Sequence, residues 1–170
     1  GRMIPDNNAD IIVKGFLASN STKKMVVVGD VFYKDKYADE LKALKDDRLI
    51  FTGYVHDPEV LAALYHHCYV YVHGHEFGGT NPTMIKAMAY GCAILALNTV
   101  FNKEMLNNDL YGIYFEKNQA AVRQQINYAD QHSEKIKKLS QNSYLGITNK
   151  YNWDCIIEQY LEVFRRLAEK

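Results

Sequence analysis

The chain has 170 residues, 48% of them hydrophobic and 24% charged, which suits one globular domain able to bury a core without disulfide staples. Twenty acidic and twenty basic residues cancel, so composition offers no electrostatic case for a nucleic acid, an anionic membrane or another polyanion as partner. Cys68, Cys92 and Cys155 form no CxxC, no apolar run is long enough for a transmembrane segment, and no signal peptide is visible, so a reduced, cytoplasmic setting is expected.

Pro5 followed by Asp6-Asn7-Asn8 reads as a helix entry, and Ile12, Val13, Phe16 and Leu17 recur at helical spacing over 7–19. MVVVG at 25–29 is a β-branched run that predicts a strand. Tyr37, Leu41 and Leu44 predict a helix over 35–46, and LIFTG a second strand over 49–53. Asp57-Pro58 pairs an N-cap residue with proline in the first helical position, for a helix over 58–67 carrying Val60, Leu61 and Leu64. YVYVHG at 69–74 is a third strand. Asn81-Pro82 repeats the cap–proline pair for a helix bearing Met84, Ile85 and Met88, which Gly91 is placed to end. CAILAL at 92–97 and YGIYF at 111–115 complete the strands.

Strand runs that are apolar on both faces and alternate with helices predict an α/β fold with a Rossmann-like, doubly wound parallel sheet. After Asn118 the strand pattern stops and residues 118–170 read as a helical part of the same single domain. Trp153, Ile156, Ile157, Tyr160, Leu161, Phe164 and Leu167 form one stripe on its last helix.

Ligands of open α/β sheets bind beyond the carboxyl ends of the strands, which directs attention to HGHEFGGTNP at 73–82. Gly78 and Gly79 permit close backbone approach, Thr80 and Asn81 add short polar groups, and the following helix is expected to point free N–H groups at the loop. That combination suits a phosphate, and it equally suits a plain tight turn with an N-cap. There is no GxxxxGK[ST] and no GxGxxG, which argues against a P-loop nucleotidase and an ordinary NAD-type dehydrogenase. His73, His75 and Glu76 are conceivable metal ligands, and His75 or Glu76 could bond a sugar hydroxyl. The thirteen tyrosines are scattered, which points to core rather than to carbohydrate stacking.

GRMIPDNN, VVVGD, FTGYV, HEFGGTNPTMIKAMAYGCAILAL and YNWD, in that order, resemble the C-terminal domain of retaining group-one glycosyltransferases of the GT-B fold. PDNN, HGHxxGGTNP and FNKE are most similar to bacterial rhamnosyltransferases of polysaccharide assembly. The resemblance implies a nucleotide-sugar-binding domain that is a fragment of a longer enzyme, with the acceptor domain and the first strand preceding Gly1-Arg2. Such a fragment would bind a dTDP-, UDP- or GDP-sugar and not turn over alone, the glycan acceptor being held by the other domain.

The resemblance also assigns positions. Arg2 matches the arginine on the donor diphosphate, Tyr54 and Val55 the segment that reads the base, and Gly78, Gly79, Thr80 and Asn81 the loop against sugar and diphosphate. No metal or other cofactor is expected, because protein cations would stabilise the leaving diphosphate. Asn7, which the resemblance places with Arg2 among the residues that bind the donor diphosphate and sugar, stands where the wider family carries a lysine, a departure common among the rhamnosyltransferase-like members. Lys86 replaces the glutamate that bonds the ribose, and the matched position eight residues earlier is Gly78 rather than an acid. One reading of this exchange is that Lys86 reaches the diphosphate in place of the cation missing at Asn7. Other readings are a non-catalytic nucleotide- or sugar-binding module, an FMN- or NAD-binding domain of unrelated type, and an interaction domain using the last helix.

Overall fold

The computed structural model describes residues 1–169. The apolar runs form five strands: β1 Met25–Val28, β2 Leu49–Gly53, β3 Tyr71–His73, β4 Ile94–Leu97 and β5 Gly112–Phe115. The described helices are α1 Ala9–Leu17, α2 Lys36–Lys42, α3 Pro58–His66, α4 Pro82–Ala89, α5 Val100–Met105, α6 Gln119–Gln131, α7 Ser133–Asn149 and α8 Trp153–Ala168. Every strand pairing is parallel, and hydrogen bonding divides the strands into two ladders, β1–β2 and β3–β4–β5. Among the described residues no ladder joins β1 to β3, so the parallel sheet expected as one unit is present in two pieces.

The two-sided burial of an α/β sheet is seen most directly in β4, whose four residues are all buried. Side chains alternate across a strand. Ile94 and Ala96 therefore enter a core with Met84, Met88 and Leu106, while Leu95 and Leu97 enter another with Phe16, Phe115 and Val122. Helices α4 and α5 supply the first core, α1 and α6 the second, which makes the sheet doubly wound. In β1, paired on one side only, Val26 is 39% exposed.

Local chemistry sets the helix ends. Asp57 and Asn81 cap α3 and α4 through their side chains, each with proline next, as their spacing predicts. Gly91, at φ +71°, closes α4 through its own amide on the Met88 carbonyl and the Cys92 amide on the Ala87 carbonyl. The entry at Pro5 differs from expectation: Pro5–Asn7 is a separate 3₁₀ turn, and α1 begins only at Ala9. Asn8 separates the two because its backbone is left-handed, at φ +51°. The stripe on α8 is exposed at Trp153, Tyr160, Phe164 and Leu167. Among the described residues no helix is long and apolar enough to cross a membrane.

Helix α1 reaches α6 at Gly15, where an added Cβ would lie 2.5 Å from Val122 Cβ and 2.9 Å from the Gln119 carbonyl oxygen. The backbone oxygen cannot step aside as a side chain would. Gly15→Ala is therefore expected to lose about 1–2 kcal/mol net, overpacking exceeding the roughly 1 kcal/mol of helix propensity gained. A lowered urea midpoint with an unchanged slope checks this.

Candidate functional site

The site begins at the end of β1. The Gly1 amino group donates to the Val28 carbonyl at 2.6 Å. Gly29, at φ +113°, lies so close that a Cβ there would sit 1.9 Å from the Gly1 carbonyl oxygen. This contact holds Arg2 at the strand's carboxyl end, where the guanidinium is exposed and has no partner among the described residues.

The turn after Arg2 is fastened to the loop after β3. Asn7 donates from Nδ2 to the Arg2 carbonyl at 2.7 Å, and its Oδ1 lies 2.8 Å from His75 Nδ1. Asn8 is 2% exposed and donates from Nδ2 to the Gly74 carbonyl at 2.9 Å. The Glu76 amide donates to the Asp6 carbonyl at 3.1 Å. From the other side, Asn102 donates to the carbonyls of Leu97 (2.9 Å) and His75 (3.3 Å). Lys117 pairs with the Glu76 carboxylate at 2.5 Å, and that hydrogen bond holds its pKa below the ordinary value. Arg2, Asn7, His75 and Glu76, distant in sequence, are thus brought into one cluster.

Beyond Glu76 the loop opens. Phe77, Gly78, Gly79 and Thr80 are all exposed, Gly78 has φ +97°, and none of the four amides has an acceptor among the described residues. The start of α4 behaves otherwise. The Asn81 side chain accepts from the amides of Thr83 (3.0 Å) and Met84 (3.4 Å), Pro82 has no N–H, and the Asn81 amide meets Met105 Sδ at 3.3 Å. The expectation of free helix N–H groups is therefore corrected: the N-cap consumes them. The open donors belong to the glycine loop, with the helix dipole behind it.

Tyr54 and Val55 follow β2. The Tyr54 hydroxyl donates to the Asp30 carbonyl at 2.6 Å, and its ring stacks on Phe32 at 4.3 Å between centroids. Phe32 is 85% exposed and had no sequence signal beyond its aromatic type. Lys86 lies in a groove of about 230 Å³ lined by His56, Pro58, Leu61, Ala62, Tyr65 and Tyr90. Its ammonium makes no hydrogen bond or ion pair among the described residues, and neither Arg2 nor Asn7 lines that groove. His56 is the residue after Val55, so the groove continues the Tyr54–Val55 segment rather than the Arg2 cluster.

His73, at the end of β3, is 4% exposed and its Nε2 has no hydrogen-bond partner. Burial, with smaller contributions from His75 and the N-terminal amine, pushes its pKa down to about 4. Among the described residues no group of three or more His, Cys, Asp or Glu could hold a metal ion.

A family model described as glycosyl transferases group 1 matches residues 1–132, more than half of the chain. The chain belongs to that family. No curated protein matches it at a significant level. Among solved structures, Anabaena Alr3699/HepE in complex with UDP is similar at 17% identity and a TM-score of 0.82, over 98% of this chain and 47% of that one. A glycosyltransferase from Rickettsia africae ESF-5 is 18% identical with a TM-score of 0.84, over 100% and 47% of the two chains. The C-terminal domain of the group 1 glycosyl transferase LpcC from Francisella tularensis is 22% identical with a TM-score of 0.78, over 90% and 84%. These likenesses show the fold, that of GT-B glycosyltransferases. The group 1 chain described here spans about half the length of the first two structures.

The His73 environment gives a pH dependence with a definite sign. The ring stays neutral in the folded domain down to about pH 4, whereas the unfolded chain protonates it near the ordinary histidine value of 6.5. The unfolded state thus binds more protons in that window, and stability is lost as pH falls from about 6.5 toward 4. His73→Leu is expected to flatten this slope, removing about 3 kcal/mol of the pH-dependent loss. Urea unfolding of both proteins across that range checks it.

Proposed function

We propose that this chain is the donor-binding half of a retaining glycosyltransferase that transfers a hexose or deoxyhexose, rhamnose in the reading carried by PDNN and HGHxxGGTNP, from a nucleotide-sugar. The observation that carries the proposal is the row of four unpartnered amides over residues 77–80 at the carboxyl end of the strands, in a group 1 family chain. Amides in this arrangement suit the diphosphate, and the exposed Arg2 guanidinium can join them as a bidentate donor. Both would stabilise the departing nucleoside diphosphate while one of its own phosphate oxygens assists the acceptor hydroxyl. Tyr54 and Val55 would take the base, with Lys86 beside the ribose. Complexes of HepE with UDP and with UDP-glucose support a nucleotide-sugar as the class of donor.

On this reading the glycan acceptor is bound by a second domain, in a bacterial polysaccharide pathway on the cytoplasmic side of the membrane, and no metal or cofactor takes part. Titration calorimetry of the chain with UDP, dTDP, GDP and their sugar conjugates tests the donor site. One nucleotide is expected to bind selectively, and Arg2→Ala to remove that binding. Absence of binding to all of them, in this chain and in the full-length protein, would contradict the proposal.

Lys86 favours a second reading, a module that binds without transfer, because a cation stands where a ribose acceptor is expected. Restoring a charged hydrogen bond is worth about 1.5–3 kcal/mol. Lys86→Glu is therefore expected to tighten the nucleoside diphosphate by roughly 10–100-fold. Sugar transfer by the full-length protein separates enzyme from module.

A further inference from the structure

We propose that Asn7 locks neutral His75 as its Nδ1–H tautomer, leaving Nε2 as a bare acceptor that reads a hydroxyl of the donor sugar. The inference rests on the donor-site reading above and assigns the sugar contact within it. It begins from a group with no freedom of role: the Arg2 carbonyl oxygen can only accept. The Asn7 atom facing it at 2.7 Å must therefore be the amide nitrogen, which turns Oδ1 toward His75. Oδ1 can also only accept, so His75 Nδ1, 2.8 Å away, must carry the proton. A neutral imidazole has one ring proton, and Nε2 has none.

The peptide group that follows the ring is anchored through both of its polar atoms. The His75 carbonyl accepts from Asn102 Nδ2, and the next amide, that of Glu76, is bonded to the Asp6 carbonyl. Nε2 has no partner among the described residues and is not among the buried unpartnered atoms. It stands over the glycine corner, 3.8 Å from where a Cβ on Gly78 would lie, beside the open amides of the loop.

A bare nitrogen there discriminates between the two parts of a nucleotide-sugar. Diphosphate oxygens ionised at neutral pH are acceptors and gain nothing from it, whereas every sugar hydroxyl can donate to it. The backbone amides do the opposite, donating to phosphate. His75 is thus a specificity residue for the sugar. Asn7 is a positioning residue that acts through it, rather than a diphosphate ligand like the lysine it replaces.

The first arm of the test is the ¹⁵N–¹H imidazole spectrum of the chain, with the ring assigned through His75→Gln. The expected signature is a protonated Nδ1 and an unprotonated Nε2 in the neutral ring. Asn7→Asp should retain it and Asn7→Ala should move the ring toward Nε2–H. A wild-type Nε2–H tautomer, or an Asn7→Ala spectrum identical to wild type, overturns the lock. The second arm compares UDP with UDP-glucose, dTDP with dTDP-rhamnose and GDP with GDP-mannose by calorimetry. His75→Ala should weaken the conjugate of the bound nucleotide on the order of tenfold, the loss of one hydrogen bond. The bare diphosphate should be unaffected, and His75→Gln, which can return an acceptor to the Nε2 position, should recover part of the loss. Equal weakening of conjugate and diphosphate overturns the sugar role. If wild type binds none of the six, in this chain and in the full-length protein, the donor-site reading falls and the sugar role with it, while the spectrum still decides the tautomer.

Discussion

The site depends on a buried hydrogen bond between two loops 66 residues apart, from Asn8 Nδ2 to the Gly74 carbonyl. Asn8 adopts the left-handed backbone that asparagine tolerates better than most residues, and this breaks the chain between the 3₁₀ turn and α1. The break turns Asn7 toward His75 and Asn8 toward Gly74, so one irregular residue aligns the loop after β3 with the segment after Arg2. An unmade bond at this position would leave the Gly74 carbonyl without a partner, a cost of about 1–3 kcal/mol, and the Asn8 amide with only long contacts of 3.5 Å to the Asp6 carbonyl and the Glu76 carboxylate. The arrangement is held by that penalty as much as by the bond itself.

Around this link the protein divides its polar groups into those it satisfies and those it leaves open. The α4 N-terminus is closed by Asn81, the Asn7 amide is divided between Arg2 and His75, and the Glu76 carboxylate is held by Lys117. What stays open toward solvent at the site is the run of amides over 77–80, the Arg2 guanidinium, Lys86 in its groove and the Nε2 of His75, while the unpartnered Nε2 of His73 is buried. Open donors beside a fixed framework are what a site needs to bind an anion without reorganising. The same division explains why the loop has two glycines: Gly78 takes a φ of +97°, and both residues leave space above the backbone.

Much of the fold was legible because burial on both faces writes itself into composition. The CAILAL run needs to be apolar throughout since alternate residues enter different cores. The Asp57-Pro58 and Asn81-Pro82 pairs were legible because caps are local chemistry. Helix α5 was not, since six residues are too few to show a period. The division into two ladders was not, because pairing is a long-range choice that each strand's own pattern does not encode. At the site, the glycine loop could be picked out by residue type, and Arg2 only through the family resemblance. The role of Asn7 could not, as its partner His75 is 68 positions away. The consumption of the α4 amides was implicit in Asn81, whose Oδ1 caps the helix and leaves only the Nδ2 end of its amide for a phosphate oxygen.

The central claim is that the amides over residues 77–80, together with Arg2, receive a diphosphate. A crystal structure of the chain with the nucleoside diphosphate it binds most tightly tests this directly. The account predicts phosphate oxygens within hydrogen-bond distance of the loop amides and the Arg2 guanidinium, with no phosphate contact from the capped amides of Thr83 and Met84. A diphosphate bound elsewhere, with the loop amides still facing solvent, would contradict it.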